Sequence, residues 1–241
     1  MRTVTQNVDL TARETEIIRT LSAFNSHLEK FVVIGGYAVS ALALHRFSVD
    51  CDIVVSWSEI GWFKSVLISE GYQESVEARV TKSIHNAKTI KFIKKIAGGE
   101  ISVDLFVNSL VSRNTLGEWS YDEISENSIR AIIVGITDST PARVPKKELL
   151  IALKLHACRD TDLRDIVMLD EGVDWNAVAD FANTGKRIVL DEQLNLALRK
   201  IESKKFSNSL KADFGLRKDV LPSIEKTVTR LKKVRRLLDN R

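Results

Sequence analysis

Three prolines in 241 residues leave few built-in interruptions to helix or strand. The two cysteines, Cys51 and Cys158, lie far apart and fit neither a zinc-ligand spacing nor the disulfide framework of a small secreted domain. Aromatic residues are only 7% of the chain and fall mostly in core-like positions, so no aromatic-rich platform for stacking single-stranded nucleic acid is present. Long apolar runs are missing too: the longest, Leu149 to Leu155, is broken by Lys154 and is far too short to span a bilayer. Met1 to Asp9 has no apolar core, so no signal peptide is expected, and the chain reads as cytoplasmic with no membrane partner. What remains is ordinary globular material, 44% hydrophobic and 28% charged, which excludes wholesale disorder.

Charge is modest overall, at +4, but unevenly placed. From Arg217 to Arg241 nine Lys or Arg stand against three Asp or Glu, a net +6, so the rest of the chain sums to −2. The basicity belongs to the tail.

Periodicity divides the chain in two. Thr11-x-x-Glu14 reads as a capping box, and Ile17, Ile18, Leu21, Phe24 and Leu28 follow at helical spacing, giving a first helix to about Lys30. Phe31–Ile34 is a short apolar strand ending at Gly35-Gly36, and Tyr37–His45 is helical. Val49–Ser56 is a second strand, followed by a helix over Ser58–Gly71. Extended stretches are predicted at Gln73–Thr81, Lys88–Ala97, Glu100–Asn108 and Ile129–Thr137, with Gly98-Gly99 as a hairpin turn. After Pro145 nearly everything has helical period: Lys146–Cys158, Asp162–Glu171, Trp175–Asn183, Asp191–Lys204 and Asp219–Asn240. The expected architecture is α+β, a β-sheet flanked by helices over residues 1–144, followed by an all-helical half over 145–241.

Asp50 and Asp52 are two apart on a predicted strand, so both carboxylates point to one face. Unpaired carboxylates side by side repel unless a cation bridges them, and oxygen-only ligands suit Mg²⁺ or Mn²⁺. Gly35-Gly36 sits at a strand-to-helix junction, where bare N–H groups can hold phosphate oxygens. Each signal alone also fits a bland reading, a solvated Asp pair and a tight turn. Asp104 adds to them, because it lies inside the apolar run Ser102–Val107 and would need a partner or a metal there. Its alternative is a solvent-facing position with Val103 and Leu105 buried.

In the second half Lys154 interrupts a helix that is apolar all round, where a lone ammonium wants a phosphate or carboxylate. Arg159 to Asp165 reads either as functional or as a helix connection with an N-cap at Thr161 or Asp162 and a surface Arg–Asp pair. The last helix carries an apolar stripe, Val220, Ile224, Val228, Leu231, Val234 and Leu238, surrounded by Arg230, Lys232, Lys233, Arg235 and Arg236. It is either a core-packed helix with a solvated face or a platform for RNA phosphates, and Lys88, Lys91, Lys94 and Lys95 form a second basic stretch.

The pattern Gly35-Gly36, a short helix, then Arg46-x-Ser48-x-Asp50-x-Asp52 resembles the nucleotidyltransferase (DNA polymerase β-like) superfamily, most closely its AbiEii toxin type. A later motif, Lys154-Leu155-His156-Ala157 and then Arg164-Asp165-Ile166-Val167-Met168-Leu169, resembles that type's helical Lys-x-x-Ala…Arg-Asp signature. The similarity runs from about Phe31 to Leu169. It implies a nucleotidyltransferase-fold mixed sheet whose Asp50, Asp52 and Asp104 hold Mg²⁺ (or Mn²⁺), with Asp104 also helping to deprotonate an acceptor hydroxyl. Gly35, Gly36 and Ser48 would then contact the triphosphate of an NTP, Lys154 would neutralise it, and Asp165 would complete the later motif. The resemblance further implies a toxin of a toxin–antitoxin or phage-defence pair, acting on tRNA or other RNA and controlled by a cognate antitoxin. A small-molecule (antibiotic) nucleotidyltransferase and a non-catalytic module that keeps the fold are the competing readings.

Overall fold

The computed structural model describes residues 2–75, 79–80, 83–97 and 99–240, with side chains for all of these except 2–9 and 79–80. The chain forms two compact units: Met1–Leu110 with Trp119–Pro145, and Val111–Glu118 with Lys146–Arg241.

The first unit begins with α1 (Arg2–Ala23), a 3₁₀ turn (Asn25–Lys30), β1 (Phe31–Ile34), α2 (Gly35–Leu42), β2 (Asp50–Val55) and α3 (Ile60–Ser69). Next come β3 (Gln73–Glu74), β4 (Arg79–Val80), β5 (Lys88–Ile96) and β6 (Gly99–Val107). A small ribbon, β7 (Ser109–Val111) and β8 (Glu118–Ser120), leads to α4 (Tyr121–Glu126), and β9 (Ser128–Val134) pairs antiparallel with β10 (Ser139–Pro145). Among the described residues one mixed sheet runs in the order β1-β2-β6-β5-β3, with β4 also on β5. β2 and β6 are parallel, and the other neighbours are antiparallel. The α+β reading with a mixed sheet flanked by helices therefore holds.

One face of the sheet carries Phe31, Val33, Ile53, Val103, Leu105, Ile90 and Phe92, all buried. Ile17, Ile18 and Leu21 of α1, Phe24 directly after it, and Phe63 and Leu67 of α3 are buried as well. The rings of Phe24, Phe31 and Phe63 meet edge-on at 5.1 to 5.7 Å, which ties both helices to that face.

Several expectations change. Thr11 and Glu14 do not start a helix, because α1 is already running; Glu14 is buried, with Oε1 on His45 Nε2 and Oε2 accepting from Ile136 N–H. A carboxylate with two tertiary partners is a core clamp, and the capping pattern was coincidental. The first helix stops at Ala23, and only the 3₁₀ turn reaches Lys30. β10 was unforeseen because Pro141 and Pro145 lie in it; prolines are tolerated there since β10 is bonded along one side only among the described residues. Within the expected hairpin turn Gly98 lies outside the described residues, as do 76–78 and 81 of the stretch Gln73–Thr81; Gly99 opposes Ile96.

The second unit holds α5 (Lys147–Ala157), α6 (Asp160–Leu169), α7 (Trp175–Ala182), α8 (Arg187–Ile201), α9 (Lys204–Asp213) and α10 (Leu221–Asp239). α5 is buried from Leu149 to His156, as its all-round apolarity predicts. α10 buries Ile224, Val228, Leu231, Val234 and Leu238, while Arg230 turns inward to Asp170, which also accepts from Trp175 Nε1 (3.0 Å) and Thr227 Oγ1 (2.9 Å). Among the described residues no helix is long and apolar enough to cross a membrane.

Candidate active site

β1 ends at Ile34, directly across from Asp52, and the chain turns at once into α2. Gly35 takes φ +65°, a left-handed conformation that other residues adopt at a cost. A methyl group there would lie 2.3 Å from Asp52 Oδ2. The next glycine is as constrained: a methyl at Gly36 would come 2.7 Å from Ser48 Oγ and 3.1 Å from an Arg46 guanidinium nitrogen. The glycine pair thus lets the first turn of α2 lie against Asp52, Ser48 and Arg46. Ile34, at the N-cap position, supplies no side-chain cap for that turn, and the Asp52 carboxylate lies beside its positive end.

The carboxylates gather by register. Asp50 and Asp52 share a face of β2, and the parallel neighbour β6 sets Asp104 opposite Asp52 and Ser102 opposite Asp50. Asp50 is exposed, and its Oδ1 accepts from Ser102 Oγ at 2.6 Å; Asp52 and Asp104 are half-buried. Two full charges at strand spacing, about 5 Å, repel by roughly 3 kcal/mol at an effective dielectric of 20, which favours a bridging cation. Cys51 reports the same field from the opposite face of β2: burial first, then the charges of Asp52, Asp104 and Asp50, push its thiol well above its ordinary pKa. It is a core residue with no nucleophilic character.

Among the described residues no three His, Cys, Asp or Glu side chains already converge at metal-binding distance. The donor set is nevertheless all oxygen and on one face, so its chemistry fits a hard divalent cation, with Asp50, Asp52 and Asp104 as the residues that would hold it.

Asp104 has a second cross-strand neighbour, Lys91 of β5, and Lys95 opposes Glu100 in the same ladder. Lys94 is directed elsewhere: its ammonium binds Glu16 Oε1 and the Glu70 carbonyl oxygen, each at 2.5 Å. Of the basic stretch, Lys94 is thus held in an ion pair, Lys91 and Lys95 stand opposite carboxylates in the ladder, and Lys88 opposes Val107.

The connection between α2 and β2 is pinned. Tyr37 OH donates to the Ser48 carbonyl at 2.9 Å, and Ser40 Oγ bonds both the carbonyl and the N–H of Arg46, at 3.2 and 3.3 Å. Burial, helped by surrounding negative charge, pushes the Tyr37 hydroxyl far above its ordinary range, so it stays a donor.

In the second unit Lys154 and Asp165 do meet, at 2.7 Å, and Asp162 is the ammonium's other partner at 3.2 Å. All three are buried. Burial works to raise the Asp162 pKa, but the Lys154 ammonium and the Arg159 guanidinium outweigh it and hold it below the ordinary carboxylate value. Arg159 reaches Asp162 from solvent at 2.7 Å, and Asp162 Oδ2 also accepts from the Arg159 N–H at 3.1 Å. The expected surface pair thus joins an exposed Arg159 to a cluster whose other three members, Lys154, Asp162 and Asp165, are buried. Asp162 was expected only as a candidate helix N-cap; its pairing with Lys154, eight residues earlier, gave no sequence signal because the two helices fold back on each other. Arg46 and Tyr37 were visible in the motif but carried no assigned role.

No known protein-family profile matches the chain, and no curated protein matches it. Among solved structures it is similar to JHP933 from Helicobacter pylori (16% identity, TM-score 0.46, covering 96% of this chain and 94% of that one). A candidate nucleotidyltransferase from H. pylori gives 16% identity and TM-score 0.44 over 95% and 96% of the two chains. The antibiotic-resistance factor ANT(2'')-Ia gives 15% identity and TM-score 0.41 over 85% and 92%.

Proposed function

We propose that this chain is a nucleotidyltransferase that moves a nucleoside monophosphate from an NTP to an acceptor hydroxyl. The observation that carries the reading is the register that sets Asp104 beside Asp52, with the uncapped Gly35-Gly36 turn of α2 packed against the same carboxylate. Asp50, Asp52 and Asp104 would hold Mg²⁺ or Mn²⁺, which supplies charge neutralisation at the reacting phosphate. Gly35, Gly36 and Ser48 bind the triphosphate through backbone N–H groups and a hydroxyl. Asp104 takes the proton of the acceptor hydroxyl; the hydroxyl oxygen bonds to the α-phosphorus and the bond to pyrophosphate breaks. Lys154 is the cation assigned to the triphosphate, held ready by Asp165; to serve it, the ammonium must share or leave Asp162 and Asp165.

The acceptor we favour is tRNA or another RNA, in the role of a toxin held in check by a cognate antitoxin. Lys91 beside Asp104 disfavours a cationic drug at that position, and Lys226, Lys232, Lys233, Arg235 and Arg236 are exposed along α10. ANT(2'')-Ia, by contrast, has been solved in complex with adenylyl-2''-tobramycin.

The test is incubation of the protein with each α-³²P-labelled NTP, Mg²⁺ and either total tRNA or a panel of aminoglycosides. Label on RNA supports the whole reading. Label on a drug keeps the chemistry and overturns the acceptor, and no transfer to anything favours a non-catalytic module.

A further inference from the structure

We infer that Ser102 is a positioning residue of this site, its hydroxyl orienting the Asp50 carboxylate for a divalent cation; the inference rests on the metal-dependent nucleotidyltransferase reading above. Ser102 lies on β6 between the buried Ile101 and Val103 and is itself 2% exposed, so its hydroxyl needs a partner inside the protein. The parallel register sets it opposite Asp50, and its Oγ–H donates to Asp50 Oδ1 at 2.6 Å. That length is typical of a hydroxyl bonded to an ionised carboxylate, which can only accept. Asp50 is exposed at the start of β2, where water could satisfy its oxygens without Ser102. What the buried hydroxyl adds is a fixed direction.

Ser102 and Asp104 are two apart on β6, as Asp50 and Asp52 are on β2, so all four side chains share one face. β6 therefore answers the two β2 carboxylates differently: Asp52 stands opposite a second carboxylate, and Asp50 opposite an uncharged donor. A carboxylate at position 102 would put a fourth negative charge on that face and add to the repulsion a cation has to offset. An apolar side chain there would leave Asp50 free to rotate, and ordering it would then weigh against binding the cation. A hydroxyl avoids both. It takes one of the carboxylate's roughly four acceptor positions, so direction is gained while most of the acceptor capacity is kept for a cation. Hydrogen bonds of this kind to a ligating carboxylate commonly change metal affinity by about tenfold or more.

The experiment is titration of Mn²⁺ into the full chain without nucleotide, read by the electron paramagnetic resonance signal of the free ion. Wild type, Ser102→Ala and Ser102→Thr are compared, and their urea midpoints are measured in EDTA. The expected result is Mn²⁺ binding at least about tenfold weaker in Ser102→Ala. Its midpoint in EDTA should stay at the wild-type value, because the carboxylate it releases faces water. Ser102→Thr keeps the hydroxyl and should bind Mn²⁺ nearly as wild type does. Equal Mn²⁺ affinity in Ser102→Ala and wild type overturns the role of Ser102. So does a Ser102→Thr that folds as wild type yet binds as weakly as Ser102→Ala, or a Ser102→Ala whose stability in EDTA falls in step with its metal affinity. A wild type that binds no Mn²⁺ would overturn the metal-site reading itself.

Discussion

Asp52 is in an unusual position for a half-buried carboxylate: a second carboxylate stands beside it by register, and a glycine backbone is pressed against its oxygen. Removing its charge should therefore have opposite effects on stability and on activity. In EDTA, Asp52→Asn should melt at a higher temperature than wild type, because one member of a repelling pair is neutralised. Mg²⁺ should raise the melting temperature of wild type and leave that of the variant nearly unchanged. A variant that melts lower in EDTA and still responds to Mg²⁺ would contradict a cation site at these residues.

His156 gives a second prediction at this scale. It is fully buried, with Nε2–H donating to the Ala182 carbonyl at 2.9 Å, so its Nδ1 accepts from Thr115 Oγ1 at 2.5 Å. Burial lowers its pKa to about 4 from the ordinary 6.5. Between those values the unfolded chain binds a proton that the native one refuses, so stability falls as pH drops through that window, by up to about 3 kcal/mol. Urea midpoints of wild type measured from pH 7 to pH 4 should fall, and His156→Gln should flatten the dependence. Parallel curves for the two proteins would remove His156 as the cause.

At the scale of elements, the buried cluster on α5 and α6 decides how Lys154 variants should be read. Lys154→Met strands Asp162 and Asp165 without their ammonium and should cost about 3 to 5 kcal/mol in urea unfolding. Adding Asp165→Leu should recover part of that. If Lys154→Met unfolds like wild type, the ion pair is not what holds the two helices together.

Much of this layer was legible in the sequence. α5, α7 and α10 follow from periodicity, and β2 with β6 from apolar runs each carrying an Asp. The register that unites Asp52 and Asp104 was not legible, because strand order depends on contacts between segments about fifty residues apart. β7 and β8 are three residues each, too short for any period to show, and α4 is only six. Glu14 imitated a capping residue because the tertiary contacts that bury it involve His45 and Ile136, distant in the chain.

At the scale of the whole molecule, the charge asymmetry seen in the sequence survives folding only in part. Arg230 is used internally on Asp170, and Lys232 is 3.3 Å from Glu202, whereas Lys226, Lys233 and Arg236 project outward from α10 without a carboxylate partner among the described residues. Reversing these three to Glu should leave the urea midpoint within about 0.5 kcal/mol of wild type, as for exposed positions generally. It should also weaken tRNA binding and flatten its dependence on salt, since each lost phosphate contact removes released counterions. Equal salt slopes for the two proteins would take α10 out of the acceptor surface.

The central claim is that the carboxylates carried by β2 and β6 drive nucleotidyl transfer. The most direct measurement is pyrophosphate release from NTP by wild type, Asp52→Asn and Asp104→Asn, with Mg²⁺ and the acceptor pool present. The account predicts Mg²⁺-dependent release by wild type and a loss of about a thousandfold or more in each folded variant. Release by Asp52→Asn at the wild-type rate would contradict it.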